Sequence, residues 1–157
     1  MLQRAQTIFM AVVAICMGVV SSTTIWSKAS ANTNERVILN AITMDQIKTT
    51  GTESISSIFI LIFAIIAGLI AIYSISQFKN RKLQMLLGAV NSMFIAIVMG
   101  VIFYYIFKKG MPAFDPDVEG RYELGFYAGG AALLANMIAN RFIRRDENLV
   151  RSADRMR

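Results

Sequence analysis

The sequence predicts an all-α membrane protein: four transmembrane helices in a compact bundle, followed by a short helical, basic tail. Three observations lead there. The chain has 157 residues, of which 55% are hydrophobic and only 17% charged, and its mean hydropathy is +0.52. A soluble domain carries about 25% charged residues. The charges are bunched between long apolar runs, and those runs are continuous rather than alternating, which favours helices over the strands of a barrel. A helix also satisfies its backbone groups within one segment, as lipid requires. Soluble globular, disordered and disulfide-scaffold classes all fit this composition poorly.

A helix needs about 20 mostly apolar residues to cross the hydrocarbon core. The first predicted span covers about residues 5–26, centred on IFMAVVAICMGVV. Ala29-Ser30-Ala31 resembles a signal-peptide cleavage site, but the long apolar stretch and the placement of Trp26 and Lys28 favour a retained helix. An outer loop follows over 27–54. Its ERVILNAIT segment has a short strand-like run, its KTTGTES segment reads as a turn, and it is too small for a core of its own. The second span, about 55–78, and the third, about 83–107, are free of charge and are joined by the tight KNRK turn. The second outer loop, 108–123, holds both prolines and four acids. Asp115, Asp117 and Glu119 alternate as in a calcium loop, but the glycine and closing glutamate of such a loop are missing, so it reads as a solvated acidic turn.

The fourth span, about 124–143, is the weakest, being rich in Gly and Ala with Arg141 near its end. Small residues let helices approach closely in lipid. Gly125, Gly129 and Gly130 therefore mark a helix-packing face, as do Asn136 and Asn140, which lie one turn apart on the same side. Asn91 of the third span sits at similar depth, and interhelical hydrogen bonds among the three asparagines are expected.

Orientation follows from Lys and Arg. The side holding both termini and the KNRK turn carries ten of the sixteen, and the side holding the two loops carries six. Both termini are thus expected in the cytoplasm. The tail, residues 144–157, has Glu147 and Arg151 at favourable i,i+4 spacing, and Leu149, Ala153 and Met156 on one narrow apolar stripe. Its arginines fit a positive-inside anchor or a helix lying on anionic lipid. They equally fit a docking peptide for a cytosolic protein, with Arg144, Arg145, Asp146, Glu147, Leu149, Val150, Arg151, Asp154, Arg155 and Arg157 as contact residues.

The chemistry of catalysis is sparse. There is no His, which removes imidazole bases and most zinc sites, and one Cys, Cys16, within the first span. Neither GxxxxGK(S/T) nor GxGxxG occurs, so no phosphate cradle is signalled. The chain is therefore expected to be no enzyme, to hold no cofactor or metal, and to bind neither small-molecule substrate nor nucleic acid directly. Its expected partners are the lipid bilayer and a cytosolic protein.

The opening MLQRAQTIFM, the four-span plan and the closing RRDENLVRSADRMR together resemble the DUF4293 family of small four-span inner-membrane proteins from Bacteroidota. Its members begin Met-Ile/Leu-Gln-Arg-x-Gln-Thr and end with an acidic pair, Leu-Val-Arg-Ser and Asp-Arg-x-Arg. Those positions are Met1, Leu2, Gln3, Arg4, Gln6 and Thr7, then Asp146, Glu147, Leu149, Val150, Arg151, Ser152, Asp154, Arg155 and Arg157. The resemblance spans the chain, but its specific part is these two ends. The outer loop departs from the pattern, being short and without the aromatic and proline content of relatives. The resemblance implies no established activity. Family members are encoded beside the transcription terminator Rho, which implies Rho as a partner. The expected function is a non-enzymatic inner-membrane adaptor that docks a cytosolic protein through its tail. The alternatives are an accessory structural subunit of a respiratory or secretion complex, or a small transporter or channel, against which the uncharged spans argue.

Overall fold

The computed structural model describes residues 2–30, 34–49, 51–77, 80–114 and 118–155, with side chains over 6–30, 34–49, 51–77, 80, 82–114 and 118–149. In chain order the elements are α1 (Leu2–Ser22), β1 (Trp26–Ala29), β2 (Arg36–Leu39), β3 (Thr43–Lys48), β4 (Gly51–Ser56), α2 (Ile58–Ser76), α3 (Arg81–Tyr105), a π-helical turn (Ile106–Gly110), β5 (Arg121–Tyr122) and α4 (Leu124–Arg155).

The expectation of an all-α protein with four spanning helices is overturned on two counts. First, β1 to β5 form a five-stranded antiparallel sheet in the order β4-β3-β2-β1-β5. The segment read as the first outer loop supplies four of those strands. Each strand is two to six residues long, and only β2, inside the strand-like ERVILNAIT run, stands out from a loop; the other four mix polar with apolar residues. Second, among the described residues two helices are long and apolar enough to cross a membrane, Ile58–Ser76 and Lys82–Gly110. Of α1, the stretch described with side chains is Gln6–Ser22, which is apolar but shorter than the two spanning candidates. α4 is long, but its arginines and asparagines lower its hydropathy below that of a spanning segment.

The helices pack side by side, α1 against α4 and α2, and α3 against α2 and α4. Buried positions recur at three- and four-residue spacing: Met10, Val13, Met17 and Val20 on α1, and Ile60, Ala64, Ala67, Ala71 and Ser74 on α2. α3 contributes Asn91, Ile95, Val98 and Ile102, and α4 contributes Ala132, Ala135, Ala139 and Ile143. Aromatic pairs bridge the helices, with Phe9 stacked on Phe142 at 5.8 Å and Phe103 edge-on to Phe126 at 5.6 Å. The outward faces are apolar as well: Ile62, Ile65, Leu69 and Ile72 on α2 are all exposed. Only 28% of the apolar α2 window is buried in the molecule. A core helix of a soluble domain hides its apolar surface, whereas this one presents it.

The sheet closes one end of the helices. Its register aligns Tyr122, Trp26, Leu39, Met44 and Ile55 in one row across the five strands. Trp26, Leu39 and Met44 in that row are fully buried and share a core with Ile60, Ile102 and Ile106. The Trp26 indole lies between two glycines. A Cβ at Gly110 would stand 2.5 Å from the ring, and one at Gly120 would collide with it. Lys28, two residues further along β1, is buried and donates from Nζ to the carbonyls of Met111 (2.8 Å) and Ala113 (2.9 Å). Its charge thus meets the carbonyl end of the π-helical turn, where a cation is favoured. Tyr105 Oη donates to Ser56 O at 2.6 Å and Ser57 Oγ donates to Asn40 O at 2.9 Å, pinning α3 and the start of α2 to the sheet.

Candidate functional site

The opposite end of the helices is built differently. It carries the start of α1, the α2–α3 connection and the C-terminal part of α4. α3 begins at the N-cap Asn80, whose side chain accepts from the Leu83 backbone N–H at 3.2 Å. Of the KNRK turn, Lys79 lies outside the described residues, and Lys82 is exposed.

Under this end lies a buried polar cluster between α3 and α4. Asn136 is fully buried and donates from Nδ2 to Gly88 O (3.1 Å) and Ser92 Oγ (2.7 Å). Asn140, one turn on, donates to the same two acceptors at 3.1 and 3.2 Å. Asn91 Nδ2 donates to Asn136 Oδ1 at 3.4 Å. Gly88 makes this approach possible, because a Cβ there would collide with Asn140 Oδ1. Gly88 is one of the small residues expected at a helix contact; Ser92 is not evident from the sequence, and the signal that could have found it is its i,i+4 spacing from Gly88 at the asparagine depth of α3.

The packing glycines of α4 separate on inspection. A Cβ at Gly125 would meet Ile25 at 2.9 Å and Thr24 O at 3.0 Å, and one at Gly129 would meet Met99 Sδ at 2.6 Å. Both face the interior. A Cβ at Gly130 has nothing within 4 Å, so this glycine faces open space.

Beyond Ile143, its last buried residue among those described, α4 continues unbroken to Arg155. Residues 144–155 add roughly 18 Å of helix at 1.5 Å per residue. Arg144, Arg145, Asn148 and Leu149 are exposed there, while Asp146 and Glu147 are half-buried. Val150, Arg151, Asp154 and Arg155 occupy helical backbone positions, and their side chains are not among those described. Met156 and Arg157 lie outside the described residues, as do Asp115 and Asp117 of the acidic turn. At the root of the extension, Met137, Asn140, Arg141 and Arg144 line a shallow cavity of about 350 Å³. Among the described residues no group of three or more His, Cys, Asp or Glu is placed to hold a metal ion.

The start of α1 and the C-terminal part of α4, whose residues carry the family resemblance, both lie at this end of the helices. Over residues 2–156 the chain matches DUF4293, a family described as a domain of unknown function. The chain belongs to the DUF4293 family. No curated protein matches it. In this DUF4293 chain the motif-like residues from Asp146 to Arg155 lie on the α4 backbone beyond Ile143, with Leu149 exposed and Asp146 and Glu147 half-buried.

Proposed function

We propose that the protein is a non-enzymatic, multi-pass inner-membrane adaptor that holds a cytosolic protein at the membrane through the basic extension of α4. α2 and α3 carry it across the bilayer. The α2–α3 connection, with Lys79, Arg81 and Lys82, faces the cytoplasm in accordance with the positive-inside rule, and the α4 extension, at the same end, faces it too. The observation that carries the reading is the unbroken run of α4 past Ile143, which presents Arg144, Arg145 and Leu149 on a preformed helix. A preformed helix docks into a groove at little ordering cost.

Rho is the first candidate partner to test, on the strength of the family's gene neighbourhood. The accessory-subunit reading is weakened because Gly129, half of its lateral seam, is taken up by Met99 within the chain. The test is affinity capture from mild-detergent extracts, comparing the full chain with one lacking residues 146–157. The adaptor reading expects a soluble partner that is captured by the full chain and lost with the deletion. An unchanged set of captured proteins contradicts it.

A further inference from the structure

The cavity at the root of the α4 extension has a chemistry of its own. Met137, Asn140, Arg141 and Arg144 fall at i, i+3, i+4 and i+7, so they share one face of the helix. The floor is fixed, because the Asn140 amide is committed to Gly88 O and Ser92 Oγ. The walls are two exposed guanidiniums one turn apart, and neither pairs with a carboxylate among the described residues. Below them the same face is apolar. Met137 and Leu134 are exposed, and Gly130, two turns before Met137, leaves open space beside the helix. Two arginines with no carboxylate partner among the described residues, set next to an exposed apolar face, match a molecule with an anionic head and a hydrocarbon tail.

We infer that the groove formed by Met137, Asn140, Arg141 and Arg144 binds an anionic phospholipid, its phosphodiester held between Arg141 and Arg144 and an acyl chain lying along Met137 toward Gly130. Guanidiniums suit this role because their planar fork matches phosphate oxygens in two-point contacts. Basic pockets beside membrane helices on the cytoplasmic side take lipid headgroups by the same means. The site rests on the membrane placement proposed above and not on the docking partner. Arg144 is shared with the docking residues but Arg141 is outside them, and deleting residues 146–157 leaves the groove whole.

The test is native mass spectrometry of the full chain in mild detergent with an equal mixture of phosphatidylglycerol and phosphatidylcholine. Phosphatidylglycerol should be retained preferentially. Arg141→Gln should weaken that retention about fivefold, and Arg141→Gln with Arg144→Gln about twenty-five-fold, at the usual gain per arginine at an anionic surface. Arg141→Lys should restore most of the single loss, and Lys82→Gln, at the same end but off the groove, should change nothing. An unchanged melting temperature shows that each variant is folded. Excess inorganic phosphate should not displace the lipid. Equal retention of the two lipids, an equal loss with Lys82→Gln, or displacement by phosphate overturns the site alone. Retention of no lipid of either class overturns the membrane placement with it.

Discussion

The two ends of the helices solve opposite problems. At the sheet end the chain closes on itself. Trp26 is sealed between Gly110 and Gly120, Lys28 caps the carbonyls of Met111 and Ala113, and Tyr105 and Ser57 tie two helices to strand backbone. At the other end α4 runs on past Ile143, its last buried residue among those described, and exposes Arg144 and Arg145. Buried polar groups at the closed end are placed for stability. Exposed arginines at the open end stabilise little, since surface charges contribute at most about 1 kcal/mol. Their clustering is better explained by contact with something else.

That contrast can be broken from the closed end first. Trp26→Ala empties a site walled by backbone and two glycines that cannot collapse to fill it. We expect a loss of about 3–5 kcal/mol, read as a large fall in the detergent melting temperature. Gly88→Val comes next. It forces a side chain into Asn140 and pushes α3 from α4, costing about 1–3 kcal/mol by overpacking. Asn136→Leu keeps the branched shape and the number of heavy atoms but strips the donors to Gly88 O and Ser92 Oγ, and denaturant unfolding should show a loss of about 0.6–2 kcal/mol. Removal of residues 146–157 is the smallest effect on the fold. Its stability change should stay within about 0.5 kcal/mol, the range of surface changes, while the captured partner disappears.

Parts of this architecture are written plainly in the sequence. The two charge-free apolar runs are α2 and α3, and the spacing of Asn136 and Asn140 already puts both on the face that meets Gly88. Of the sheet, β2 and the turn between β3 and β4 are legible in ERVILNAIT and KTTGTES; the rest is not, because its specification is non-local. WSKA becomes a strand only because Trp26 finds Leu39 on one side and Tyr122 on the other. Lys28 reads as a loop charge because the carbonyls that receive it are more than eighty residues away. The glycines of α4 look alike in sequence, yet Gly129 is filled by Met99 and Gly130 by nothing. That difference depends on which way the helix is turned against α3. The tail is legible as a helix, but its continuity with α4, and so its stiffness, is visible only in three dimensions.

The central claim is that the two ends lie on opposite sides of a membrane crossed by α2 and α3. Cysteine labelling tests it most directly, since Cys16 is the chain's single cysteine and can be replaced by alanine. In that background, Asn148→Cys reports on the α4 extension and Thr52→Cys on the sheet, both at exposed positions. With a membrane-impermeant maleimide added to intact cells or spheroplasts, position 52 should be labelled and position 148 protected until the membrane is opened. Labelling of both positions from the same side would contradict the account.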